Sequence, residues 1–218
     1  MSPETLKKAG IVDPSTPSAE PFRMLRLAIE LRPNASETKA VLVTSPHAGD
    51  GKSTIAANYA VVAALTRRRV LLVDADLRSP TVHGLFGLEQ SPGLVELVRD
   101  RLELSDVVQR VEALGLDILT SGGSISRPGD LAASHQFEEV LRNARETYDL
   151  VVIDSPPVLI AADAAGIASQ DGVGALLVVR RHAKRRHVGN AIRKLRLMDA
   201  NVLGLVVNRE GSLTTYGY

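Results

Sequence analysis

A chain of 218 residues, 44% hydrophobic and 23% charged, can bury the core of one domain with short tails. Its formal charge of +1 gives the molecule as a whole no preference for polyanions. The lack of cysteine excludes disulfides, thiolate-bound zinc, iron–sulfur clusters and a thiol nucleophile, and fits a reducing compartment. The N-terminal stretch has no apolar core of the kind a signal peptide needs, and no later apolar run approaches the roughly 20 residues that span a bilayer. The expected location is therefore the cytoplasm.

Residues 1–19 hold three prolines and several Ser/Thr residues and read as a flexible arm. The main domain is expected over 20–210 and a short tail over 211–218. A first helix is predicted over 21–32, with Phe22, Leu25 and Ile29 at helical spacing, Pro21 in its first turn and Pro33 stopping it. Strands are expected near Val41–Thr44, Val70–Val73, Leu116–Leu119, Leu150–Ile153, Ala175–Val179 and Leu203–Val207. Helices near 53–66, 93–110, 131–146, 161–169 and 184–198 separate them. Most strands are apolar on both faces, as strands covered by helices must be. The alternation predicts an α/β fold: a doubly wound, mostly parallel sheet with helices on both faces.

Three segments carry chemistry, each at a strand's carboxyl end, where open α/β sheets bind ligands. The first strand runs through Ser45-Pro46-His47-Ala48-Gly49-Asp50-Gly51-Lys52-Ser53-Thr54 into a helix. Gly49 and Gly51 allow a tight turn that points backbone N–H groups at phosphate oxygens. The following helix adds its positive dipole end, Lys52 a full charge, and the Ser53 hydroxyl a ligand for Mg²⁺. Pro46 stands where the usual first glycine of such a loop would be. In Val70–Arg78, alternation along an extended chain would put Asp74, Asp76 and Arg78 on one face, where two close carboxylates call for a cation between them. In Leu150–Pro157, Asp154 follows four apolar strand residues, as a magnesium-holding carboxylate should.

The apolar strand followed by Asp74-x-Asp76-x-Arg78, together with the apolar strand followed by Asp154-Ser155-Pro156-Pro157, resembles the bacterial tyrosine kinases of the CpsD/CapB type. These are relatives of the MinD/ParA ATPases that phosphorylate tyrosine with a P-loop. The likeness runs from about Glu20 to Asn208, with further matches in Pro80–Phe86 and Gly204–Asn208. It implies an ATP-dependent protein-tyrosine (auto)kinase that regulates exopolysaccharide or capsule synthesis and export, with ATP and Mg²⁺ as cofactors. Residue by residue, it implies that Gly49, Asp50, Gly51, Lys52, Ser53 and Thr54 hold the nucleotide. Asp74 and Asp76 would work on Mg²⁺ and on deprotonating the attacking tyrosine hydroxyl. Asp154 would be the Walker B acid, with Ser53, Asp76 and Asp154 at the metal. Asn208 lies where relatives contact adenine.

Glu20-x-x-Arg23-x-x-Arg26 matches the family's oligomerisation motif, so a homo-oligomer is implied. Helical geometry makes Arg23 and Arg26 neighbours and leaves Glu20 only loosely alongside. Tyr216 and Tyr218, in a Gly- and Ser/Thr-rich tail, are the implied phosphoacceptors. The family further implies a transmembrane activator of the polysaccharide co-polymerase type, either fused or separate, a cognate phosphatase, and recruitment to the inner face of the membrane. A MinD/ParA-like positioning or partition ATPase is the alternative, and a non-catalytic ATP-binding regulator of an export complex a third. His47 stands where the MinD/ParA branch carries a signature lysine, which favours the kinase branch. The basic run Arg180–His187 reads first as a solvated connection, then as a surface for anionic membrane, polyanions or an acidic partner; nucleic acid is not expected.

Overall fold

The computed structural model describes residues 8–33 and 35–208, in which a seven-stranded sheet carries the nucleotide-type loop at its centre. The strands are β1 (Ala40–Thr44), β2 (Val70–Asp74), β3 (Gln109–Val111), β4 (Leu116–Leu119), β5 (Leu150–Asp154), β6 (Val173–Arg180) and β7 (Asn201–Asn208). Their order is β3-β4-β2-β5-β1-β6-β7, parallel throughout except for β3, which pairs antiparallel with β4. All six strands predicted from the sequence are present.

Apolar side chains leave each strand in alternate directions and build two separate cores. Val41, Val43, Leu72, Val152 and Val178 point to one, and Leu42, Leu71, Ile153 and Leu177 to the other. Helices α1 (Glu20–Glu30), α2 (Lys52–Ala64) and α3 (Val82–Phe86) cover the first face. The second is covered by α4 (Leu94–Asp100), α5 (Leu104–Val107), α6 (Pro128–Ala132), α7 (His135–Thr147), α8 (Asp163–Ala168) and α9 (Arg185–Leu197). Two covered faces explain why β1, β2 and β5 are buried at every position. No helix among the described residues is long and apolar enough to cross a membrane.

Three expectations need correction. The helix expected over 93–110 is interrupted: Arg101 takes a left-handed φ of 54° and ends α4, α5 follows, and Gln109–Val111 leave as the edge strand β3. The helix expected over 131–146 divides at Ser134, whose hydroxyl accepts the N–H of Phe137 and starts α7. The flexible arm over 1–19 is not what residues 8–19 show. Ile11 is buried against the α1/α2 core, and Asn58 of α2 grips the segment: it accepts from Val12 N–H at 2.7 Å and donates to Gly10 O at 2.9 Å. One apolar residue in a polar, proline-rich stretch carries little periodic signal, which is why composition misread it.

Candidate active site

The order β2-β5-β1 sets three carboxyl ends side by side, so chemistry distant in sequence meets in space. Asp74 is in register with Asp154 across β2 and β5, and Asp154 with Val43 across β5 and β1. The loop leaving β1 then turns over them. Gly49 (φ 78°) and Gly51 (φ 95°) both sit in the left-handed region, where a side chain is strained. Gly51 is the residue that caps α2, and Lys52 and Ser53 are its first turn.

Lys52 lies buried between two acids. Its Nζ is 2.7 Å from Asp76 Oδ2 and 3.4 Å from Asp154 Oδ1, and donates to Ser53 Oγ at 3.0 Å. Burial opposes the ammonium charge, but Asp154 and Asp76, with help from Asp74, outweigh it and hold the Lys52 pKa above its ordinary value. Asp154 is fully buried. Burial raises its pKa to about 6, with Lys52 and the nearby Ser53 hydroxyl pulling it back. Its Oδ2 accepts no hydrogen bond among the described residues, a costly condition for a buried carboxylate oxygen. An orphan oxygen beside a serine hydroxyl and a second carboxylate is a hard-oxygen donor set. That set fits Mg²⁺, which is held by one or two carboxylates with the remaining positions filled by phosphate and water.

Asp74 departs from the simple alternation. Its Oδ2 accepts the N–H groups of Thr81 and Val82, at 3.1 and 3.0 Å, and its Oδ1 that of Asp76 at 3.2 Å. Burial, and then the neighbouring Asp154, push its pKa up to about 7 against those amides. Asp74 therefore organises the turn that carries Asp76, while Asp76 reaches Lys52. The expected convergence of Arg78 with the two acids does not occur. The strand ends at Asp74, alternation ends with it, and Arg78 turns away to Asp163 at 3.2 Å.

Asp50 braces the loop. Its Oδ1 takes Arg180 Nε at 2.7 Å, its Oδ2 the N–H of His47 at 3.1 Å, and its carbonyl the Asn208 amide at 3.0 Å. What Asp50 can offer a phosphate is thus its backbone N–H. Thr54 uses its carbonyl to accept from Asn58. Asn208 is packed on the loop so closely that a Cβ on Gly51 would collide with its Nδ2. His47 meets His187 across 2.9 Å. The bracing Arg180 and the Asp163 that takes Arg78 were not found by sequence reasoning. Arg180 was hidden inside a basic run, and Asp163 lies in no motif.

On α1, Glu20 pairs with Arg23 at 2.8 Å, so the loose relation expected of Glu20 is corrected, since i and i+3 meet on a helix. Arg26 turns instead to Glu30 at 2.6 Å. Tyr216 and Tyr218 lie outside the described residues.

A parallel sheet with a glycine loop entering a helix, one lysine and acids at adjacent strand ends defines a P-loop NTPase domain. Residues 38–184 match the family described as AAA domain. The chain is 34% identical over 210 residues to tyrosine-protein kinase YwqD of Bacillus subtilis (strain 168), covering 95% of this chain and 89% of YwqD. It belongs to the family of bacterial tyrosine-protein kinases. Tyrosine-protein kinase etk of Escherichia coli (strain K12) is 29% identical over 94% of this chain, which spans only 29% of etk's length. The chimerical protein CapA2B2 superposes with a TM-score of 0.84 at 33% identity, covering 92% of this chain and 88% of that one. The septum site-determining protein MinD of Pyrococcus horikoshii OT3, complexed with Mg-ADP, shares the fold at 24% identity and a TM-score of 0.66, over 79% of this chain and 71% of MinD.

Proposed function

We propose that this chain is an ATP-dependent protein-tyrosine kinase acting on its own tail in a neighbouring copy, in control of exopolysaccharide or capsule synthesis and export. The observation that carries the chemistry is the convergence of Lys52, Asp76, Asp154 and Ser53 at the ends of three adjacent strands. The loop N–H groups from Gly49 to Thr54 cradle phosphate, and Lys52 moves its charge onto the β/γ oxygens. Ser53, Asp76 and Asp154 hold Mg²⁺, which when bound neutralises charge developing on the transferred phosphoryl group. The tyrosine oxygen attacks the γ-phosphorus, the bond to the β–γ bridging oxygen breaks, ADP leaves, and the phenolic proton passes to Asp76. Asp74, committed to three backbone amides, positions that base. Asn208 at the loop edge contacts the base of the nucleotide.

Four tyrosines are present, and two of them, Tyr59 and Tyr148, are buried, which leaves Tyr216 and Tyr218 as acceptors. The polysaccharide role, a transmembrane activator at the inner membrane face, a cognate phosphatase and homo-oligomerisation through Glu20, Arg23 and Arg26 rest on the family resemblance. The test is incubation with Mg·ATP, with and without the cognate membrane activator, followed by phosphotyrosine mapping. Phosphate on Tyr216 or Tyr218 is the expected result, and none under either condition would overturn the reading. Phosphate release without protein labelling would favour a MinD-like switch instead.

A further inference from the structure

The segment 180–198 carries eight Lys/Arg residues and no acid. Against a whole-chain charge of +1, the rest of the molecule therefore stands at −7. Arg180 is spent on Asp50. Arg181, Lys184, Arg185 and Arg186 follow, all exposed, and none has a carboxylate within 4.0 Å among the described residues. Four adjacent unpaired cations repel one another and are held together only by the fold, so an anion bound there relieves that repulsion as well as adding its own attraction.

The chain itself delivers a candidate anion to this place. Asn208, the last residue of β7, is in register with Arg180, and its carbonyl accepts the N–H of Arg181 at 3.2 Å. Asn208 thus anchors the end of β7 beside Arg181, the first arginine of the run without a carboxylate partner among the described residues. Tyr216 stands eight residues beyond Asn208 in the sequence, a reach of at most roughly 26–29 Å when extended, enough to cover Arg181–Arg186. In the stretch between, Gly211, Ser212, Thr214 and Thr215 are small or polar and Leu213 alone is apolar, a composition typical of flexible linkers. Unmodified, residues 209–218 carry one arginine and one glutamate, which cancel. Each phosphotyrosine adds about −1.5 to −2 and three acceptor oxygens, the ligand that guanidinium forks grip in pairs.

Resting on the kinase reading above, we infer that Arg181, Lys184, Arg185 and Arg186 form a receptor for the chain's own tail once Tyr216 or Tyr218 is phosphorylated. Capture in cis withdraws a finished acceptor from the neighbouring copy's site. It also keeps the phosphate beside the loop braced by Arg180, out of reach of a phosphatase. The unphosphorylated tail, without net charge, is not held.

The experiment separates this from the kinase reading by installing phosphate synthetically. The full chain is assembled by ligating a 209–218 peptide bearing phosphotyrosine at 216 and 218, and its dephosphorylation by a tyrosine phosphatase is timed. The expected result is hydrolysis about tenfold slower in the unsubstituted chain than in the triple variant R181E/R185E/R186E, with the protection lost at high salt. R181Q/R185Q/R186Q, which removes charge without reversing it, is expected to fall between, and unchanged circular dichroism excludes unfolding. Equal rates in all three chains overturn the inference even if kinase activity is demonstrated. A slower rate supports it even if Mg·ATP labels nothing. Cosedimentation with vesicles containing anionic lipid, lost in the same variants while phosphatase rates stay equal, would assign the cluster to a membrane surface instead.

Discussion

Between Asp76 and Asp154, Lys52 carries a charge that its surroundings would suppress if those acids were absent. Lys52→Met leaves the fully buried Asp154 without its cation, and we expect about 3 kcal/mol of lost stability, softened by protonation of the acid. Nucleotide affinity should fall by about 100-fold or more, read by titration with a fluorescent ATP analogue. Asp76→Ala should retain nucleotide far better while tyrosine labelling drops about 100-fold, because it removes a base and metal ligand rather than the cradle. Equal losses of affinity in the two variants would refute that division.

Asp74 gives a pH signature. Its folded pKa lies near 7, above the ordinary 3.8, so the stability it contributes is complete below about pH 4 and is lost as pH rises through 7. The melting-temperature difference between Asp74→Asn and the parent should shift in favour of the variant as pH rises from 5 to 8, whatever its offset at low pH. A pH-independent difference would show that the carboxyl is not perturbed. For the same reason, binding of Mg·ADP near pH 6.5 should release protons from Asp74 and Asp154, measurable by calorimetry in buffers of different ionisation heat.

At the scale of elements, Glu96 shows how a short helix is fixed. It accepts the N–H of Gly93 at 2.8 Å and of Gly123 at 3.0 Å, tying the start of α4 to the loop after β4. Glu96→Gln should cost about 1–2 kcal/mol by thermal or urea unfolding. Burial resists the charge, but the amides prevail and lower the pKa, so this contribution is complete above the ordinary glutamate range and disappears as pH falls below it. Gly51→Ala meets both a φ of 95° and the Asn208 amide, and should cost about 2–4 kcal/mol. Adding Asn208→Ala should recover the clash but not the roughly 1 kcal/mol of backbone strain.

Legibility at this scale followed burial. β1, β2 and β5 were readable because two covered faces demand unbroken apolar runs. β3, three residues long with Arg110 exposed, leaves no such run and was absorbed into a helix. The break at Arg101 rests on one left-handed arginine, a conformation its sequence does not announce.

Across the whole molecule, the acids and the lysine could be read because each follows a strand, and strand ends of a parallel sheet share one edge. Which acid turns inward could not, because it depends on amides at Thr81 and Val82 that cap a helix seven residues on. Oligomerisation belongs at this scale too. Met24 and Leu27 are exposed on α1, which also carries the Glu20–Arg23 pair, and Leu31 is exposed just past its end. If that face joins copies, Arg23→Glu should lower the assembly state seen by analytical ultracentrifugation while leaving nucleotide affinity unchanged. An unaltered sedimentation profile would remove α1 from the interface.

The triple grip on Asp50 makes the first loop of the domain a dependant of its last strand. Arg180 closes β6 and Asn208 closes β7, and both reach back more than a hundred residues to the same aspartate. Trimming the chain just ahead of Asn208 should therefore slacken the phosphate cradle before it melts the sheet. Such a protein would keep its circular dichroism and lose its hold on nucleotide.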